Sequence, residues 1–104
     1  QTRDFIFVLD LVDALLKSCI EEKAVGQTIN IGTGKPIKLV EATKMMESIE
    51  KRFKKNIGAR PYRQNEIFDY YFDIAKARDI LHWEPKCKFE DGLRETILWQ
   101  KNQK

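Results

Sequence analysis

The 104-residue chain has little of what most metal and nucleophile chemistries need. It contains one histidine, His82, and two cysteines, Cys19 and Cys87, whose separation matches no metal-ligand spacing. A nucleophilic triad would have a single imidazole to draw on, and His82 stands beside Trp83 at what reads as a helix end. Two cysteines do not make the disulfide framework of a small secreted domain, so a reduced, cytoplasmic setting is expected. No apolar run approaches the roughly 20 residues that cross a bilayer, and no signal or lipidation motif is visible. Charge of one sign is also scarce. The 19 basic residues against 16 acidic leave a net +3 spread along the chain, which gives little support to nucleic-acid binding. The 42% of hydrophobic and 34% of charged residues describe one soluble globular domain with a single core, small enough to be marginal without a neighbour.

What is present is an alternation of strand and helix signals. Residues 5–8 are β-branched and aromatic and predict a short strand. Val8, Leu11, Val12, Leu15, Leu16 and Cys19 then recur at helical spacing, which predicts a helix over about 10–23, with Asp10 and Asp13 at its positive end and Gly26 closing it. Residues 28–31 read as a second strand, closed by Gly32-Thr33-Gly34. Beyond Pro36, the residues Leu39, Ala42, Met46, Ile49 and Phe53 share the buried face of a second helix. Lys51, Arg52, Lys54 and Lys55 close it as a solvated end. The helical period fails over 56–72, where 59–66 reads as an extended segment turning into a loop and 69–72 as a last short strand. Asp73 is placed to cap a helix over 74–81, Trp83-Glu84-Pro85 breaks the chain, and a final helix covers about 89–100. The fold class is α/β, a small lobe with a short, mostly parallel sheet and about four helices.

Several chemistries are excluded by what the motifs lack. Gly32-x-Gly34 has Ile37 where a dinucleotide fingerprint needs its third glycine, so it reads as a strand-to-helix turn. Four residues beyond Tyr62, Tyr70 and Tyr71 stand Glu66, Ile74 and Ala75, so no Tyr-x-x-x-Lys pair exists. Asp69 and Asp73 fit a strand edge and a helix cap better than a paired acid and base. No catalytic, cofactor-binding or metal-ligating residue can be named in the chain. What remains is arginine. Arg3 leads into a strand, and Arg63 stands in the loop after Pro61 and Tyr62 with Glu66 three residues on. A planar guanidinium matches phosphate oxygens bidentately and stays charged. Two on neighbouring loops could clamp a diphosphate, or could make ordinary ion pairs with Asp4 or Glu66.

Five motifs in register extend the reading. Arg3-Asp4-Phe5-Ile6-Phe7-Val8, Asn30-Ile31-Gly32-Thr33-Gly34, Arg63-x-x-Glu66 before Asp73-Ile74-Ala75-Lys76-Ala77, Leu81-His82-Trp83-Glu84-Pro85, and Glu90-Asp91-Gly92-Leu93 with Trp99 together span essentially the whole chain. In this order and spacing they resemble the carboxy-terminal lobe of the extended short-chain dehydrogenase/reductase family, the NAD-dependent nucleotide-sugar epimerases and dehydratases. The resemblance implies a substrate-binding domain over residues 1–104, whose parent binds NAD and holds its catalytic residues in an amino-terminal Rossmann domain. It implies that the sequence is a piece cut two residues before Arg3, inactive alone, and that the parent can form a homodimer. It assigns Arg3 and Arg63 to the substrate diphosphate and Glu66 to a position where many members carry an aspartate bonded to the nucleotide ribose. It also marks departures: His82 stands where glycine is common before Trp83, and Lys38 and Lys88 stand where serine or threonine often caps the next helix. A free-standing interaction module derived from the same fold, with its apolar faces given to a protein partner, is the alternative.

Overall fold

A computed structural model describes residues 1–103. Helical spacing becomes helix in four places among the described residues: α1 (Val8–Ile20), α2 (Leu39–Ile49), α3 (Ala75–Leu81) and α4 (Phe89–Lys101). The strands are β1 (Thr2–Arg3) and β2 (Ile37–Lys38). They pair antiparallel, Thr2 opposite Lys38 and Arg3 opposite Ile37, so the expected mostly parallel sheet is not what forms. The physical reason is pairing. A segment becomes a strand only when its backbone groups find a neighbour, and residues 5–7, 28–31 and 69–72 have no such ladder among the described residues. Residues 70 and 72 instead give their amides to side chains, Tyr70 N–H to Thr2 Oγ1 at 3.3 Å and Phe72 N–H to Asp4 Oδ2 at 3.2 Å.

The first helix starts and stops earlier than its periodicity suggests. The Phe7 carbonyl accepts from the amides of Asp10 (3.0 Å) and Leu11 (3.2 Å), which begins the ladder at Val8. At the other end Glu21 leaves helical backbone, and its carboxylate accepts from Lys23 N–H at 3.2 Å to open a 3-10 turn over Glu22–Ala24. The buried side of α1 is the narrow flank of Asp10 and Ala14, whereas Val8, Leu9, Val12, Leu15, Leu16 and Ile20 are exposed.

The core lies where α1 packs on α3. Ala14, Ile74, Ala77, Leu81 and Trp83 form its buried centre, flanked by Ile6, Ile29, Ile31 and Phe72. Trp83 is fully buried and satisfies its indole N–H on the Asp10 carbonyl at 3.0 Å. The Asp10 carboxylate is buried too, and is paid back by the amides of Lys86 (3.1 Å) and Cys87 (3.0 Å). One aspartate thus fixes the loop that links α3 to α4. In α4, a Cβ at Gly92 would lie 3.0 Å from Phe7 Cδ1 and 3.3 Å from Cys87 Sγ, so the missing side chain is what lets the helix approach this close. On its other side α4 meets α2, where Glu50 pairs with Lys101.

The helix ends follow the departures read from the sequence. Lys38 and Lys88 are the N-caps of α2 and α4 and make no side-chain cap bond. Asp73 Oδ1 accepts from Ala75 N–H at 3.0 Å, one residue later than expected, so α3 begins at Ala75. His82 is the C-cap of α3 in left-handed backbone, φ +51°. That conformation costs a residue with a Cβ roughly 1–2 kcal/mol, and glycine's greater freedom in the unfolded chain returns roughly half of the gain on replacement. His82→Gly is therefore expected to stabilise the lobe by about 1 kcal/mol, a rise of about 4–8 °C in Tm. A thermal melt that moved down would overturn this account of the cap.

Candidate ligand-binding site

Thr2 brings two distant loops to one place. Its amide donates to the Phe68 carbonyl at 2.7 Å, and its hydroxyl donates to Asp69 Oδ1 at 3.0 Å, so the chain from 66 to 70 lies alongside β1. Arg63 to Glu66 closes into a turn, with Glu66 N–H on the Arg63 carbonyl at 3.2 Å and Asn65 at φ +63°. Asparagine tolerates that left-handed position better than most residues. The turn therefore presents Arg63 and Glu66 on the side of β1 where Arg3 stands.

The three charged residues meet there. Arg3 Nη2 donates to Glu66 Oε1 at 2.8 Å, and Arg3 Nη1 donates to the Thr2 carbonyl at 2.7 Å. Arg63 Nε lies 3.9 Å from Glu66 Oε2, with the Arg63 side chain 91% exposed. Glu66, only 14% exposed, thus sits between a held guanidinium and a free-standing one. Around them is an open cavity of about 410 Å³ lined by Arg3, Arg63, Gln64, Asn65, Glu66, Ile67 and Tyr70. Of the two ion-pair partners considered for Arg3, the structure selects Glu66. Two arginines against one carboxylate leave a net positive site with guanidinium donors to spare, which suits an anionic oxygen cluster. Gln64, Asn65, Ile67 and Tyr70 were missed by sequence reasoning. Only Asn65 carried a usable signal, its preference for the third position of a tight turn.

Asp4 turns away from the arginines. Its carboxylate accepts from Thr33 N–H (2.8 Å), the Thr33 hydroxyl, Gly34 N–H (2.9 Å) and Phe72 N–H (3.2 Å). A Cβ at Gly32 would lie 2.7 Å from both Asp4 Oδ2 and the Phe72 ring, so this contact requires glycine there. Burial raises the Asp4 pKa, but the Thr33 hydroxyl and the three amides outweigh it and hold the group below its ordinary 3.8. Because Asp4 already occupies the amides of Thr33 and Gly34, this turn does not fit the pyrophosphate of a dinucleotide such as NAD. Burial, together with Asp10, Asp91 and Glu95, raises the Cys87 thiol, which disfavours a thiolate nucleophile. Among the described residues no cluster of His, Cys, Asp and Glu could hold a metal, and no helix is long and apolar enough to cross a membrane.

Known proteins share the fold of this chain. The UDP-glucose 4-epimerase of Thermotoga maritima, solved with UDP-glucose, superposes with a TM-score of 0.83 at 28% identity, covering 94% of this chain and 31% of that one. The enzyme WbmF of Bordetella bronchiseptica, solved with NADH, gives 0.75 at 29% identity, covering 97% of this chain and 30% of that one. In sequence, the UDP-glucuronate 4-epimerase of Thermodesulfobacterium geofontis is 32% identical over 97% of this chain and 31% of its own length. These relatives define a class, the NAD-dependent nucleotide-sugar epimerases and dehydratases of the short-chain dehydrogenase/reductase family. Residues 1–96 match the sequence profile described as GDP-mannose 4,6 dehydratase, and the chain belongs to that family. It spans about a third of the length of these relatives.

The Asp4 cluster makes stability depend on acid. A carboxyl whose folded pKa lies below its unfolded 3.8 contributes fully above that value and loses its contribution as pH falls through the folded pKa. Asp4→Asn is expected to lower the urea unfolding free energy at pH 6 by about 1–3 kcal/mol. The gap between variant and parent should narrow below pH 3.8. Glu50, which Lys101 and Arg52 pull down to about 2, titrates in the same acid range in both proteins and cancels from the comparison. A gap independent of pH would mean that the Asp4 charge contributes nothing.

Proposed function

We propose that this chain is the substrate-binding domain of an NAD-dependent nucleotide-sugar epimerase or dehydratase, and that the cavity between Arg3 and Arg63 receives the diphosphate. The observation that carries this reading is the convergence of Arg3, Glu66 and Arg63, from two separate parts of the chain, on one open cavity. The family membership supports the reaction class, and the Thermotoga relative solved with UDP-glucose supports the ligand class.

Each residue has a distinct task in this reading. Arg3 is preset by Glu66 and the Thr2 carbonyl, so its guanidinium loses little freedom when it meets a phosphate oxygen. Arg63 is exposed and closes on the same diphosphate from the loop. Glu66 keeps acceptor capacity on Oε2 for a ribose hydroxyl. The chain supplies no general base and no hydride acceptor; NAD, bound by another part of the parent, supplies the hydride chemistry. Holding the diphosphate remotely from the reacting carbon lets binding energy go into orientation, which in favourable cases is worth roughly 7–11 kcal/mol. The isolated chain accordingly binds and does not turn over. Epimerase, dehydratase and decarboxylase chemistry all remain compatible with this lobe.

An NMR titration with UDP-, dTDP- and GDP-sugars tests the assignment. Amide signals of Arg3, Arg63 and Glu66 are expected to move at millimolar ligand, and Arg63→Ala to weaken binding about tenfold, the size of one charge-assisted hydrogen bond. Unmoved signals in this loop, or turnover of a nucleotide-sugar with NAD by the isolated chain, would sink the reading.

A further inference from the structure

The positive charge of the chain is concentrated in one stretch. Residues 51–63 hold six of its 19 basic residues and no acidic one, which leaves 13 basic against 16 acidic, a net negative charge, for the remainder. The first four, Lys51, Arg52, Lys54 and Lys55, read from sequence as the closing turn of α2. That helix ends at Ile49 with no basic residue in its last turn, so the helix dipole does not account for them. Internal ion pairs account for only two. Arg52 meets Glu50 at 3.2 Å and Lys55 meets Glu47 at 2.8 Å, while Lys51, Lys54 and Arg60 are exposed and have no carboxylate partner among the described residues.

Between Lys54 and Arg60 the chain turns with an apolar tip. Ala59 N–H donates to the Asn56 carbonyl at 3.2 Å, and Gly58 at φ +76° takes the position of a tight turn that needs left-handed backbone. Ile57 precedes it and is 61% exposed, and a Cβ at Gly58 would meet nothing within 4 Å, so the tip stands clear of the rest of the lobe. Tyr62, two residues beyond Arg60, is 69% exposed. An aliphatic tip between uncompensated cations fits a surface that is anionic outside and apolar just beneath, the headgroup layer of a membrane. Lysine ammoniums are point charges that need no fixed partner geometry, which suits a fluid array of headgroups. A single-stranded nucleic acid would answer the charge, but it asks for successive aromatic platforms, and Ile57 has no ring to stack. We propose that the 51–63 segment docks this chain on an anionic membrane surface, with Lys51, Lys54 and Arg60 at the lipid phosphates and Ile57 entering the headgroup layer. This inference rests on charge and turn geometry, and not on the diphosphate reading, so the two can fail separately.

Cosedimentation with vesicles tests it without any nucleotide. The chain is expected to pellet with phosphatidylcholine vesicles carrying about 30% phosphatidylglycerol, to stay in solution with phosphatidylcholine alone, and to be released by about 0.5 M salt. Lys54→Ala with Arg60→Ala is expected to weaken vesicle binding about 25-fold, roughly fivefold for each cation. The thermal melt should not move, since neither side chain has an ion-pair partner. In an Ile57→Trp variant the added indole is expected to shift its emission to the blue only on the vesicles that carry phosphatidylglycerol. This gain of signal decides the matter if the double variant fails to fold. Absence of pelleting, pelleting that a folded double variant leaves unchanged, or an emission that does not move would overturn the proposal. So would tighter binding of a mixed-sequence DNA or RNA oligomer than of vesicles at the same salt, because the partner would then be a nucleic acid.

Discussion

Four donors on one carboxylate hold the lobe in register. Asp4 gathers the Thr33 amide and hydroxyl, the Gly34 amide and the Phe72 amide, and so ties the entering chain to the glycine turn and to the segment that leads into α3. The geometry is tight enough that residue 32 can have no side chain. A neutral acceptor in this place would make weaker bonds to the same amides, because hydrogen bonds to an ionised group are roughly twice as strong. Six residues on, Asp10 repeats the device toward Lys86 and Cys87. Two aspartates thus position the elements that the small apolar core alone would leave poorly specified.

The candidate ligand site inherits this precision. Arg3 neighbours Asp4 in sequence, and β1 is pinned to the 66–70 loop through Thr2, so the guanidinium can move little relative to the Arg63–Glu66 turn. Glu66 has a double effect on the electrostatics. It neutralises one positive charge, which keeps two guanidiniums from repelling each other, and it orients Arg3 through a 2.8 Å bond. The remaining freedom belongs to Arg63, whose side chain is exposed and touches Glu66 only at 3.9 Å.

The helices were legible in the sequence because periodicity is a local property. Leu39, Ala42, Met46 and Ile49 announced α2. The helix ends at Ile49, where Glu50 leaves helical backbone, so Phe53 and the basic cluster at 51–55 expected to close it lie beyond its end. The caps lost at Lys38 and Lys88 could be named before the fold was known. Periodicity shows that a helix has an apolar side but not which body it faces, so the outward stripe of α1 was not legible. The strands failed for a related reason: β-propensity at 5–8, 28–31 and 69–72 marks segments that favour extended backbone, but it does not supply a neighbour for them to pair with, and among the described residues they find none. Arg3, Arg63 and Glu66 were readable as a charged set, but the choice of Glu66 over Asp4 as the partner of Arg3 was not. Asp4 and Asp10 escaped because their partners are backbone amides, which any residue offers and no sequence pattern marks.

The fasteners in the first ten residues also impose an order on events as the chain is made. Asp4 meets Thr33 across 29 positions and Phe72 across 68, and Asp10 meets Lys86 and Cys87 across 76 and 77. Synthesis delivers the amino-terminal side first, so Asp10 has no loop to hold until nearly the whole lobe has emerged from the ribosome. Contacts this distant make folding slow for a domain of this size. During that interval α1 can form as a helix from its own local signals, with its apolar side and Asp10 both unsatisfied. The nascent lobe is therefore most vulnerable to chaperone capture or misassociation through its earliest helix, and it matures only when its last loop arrives.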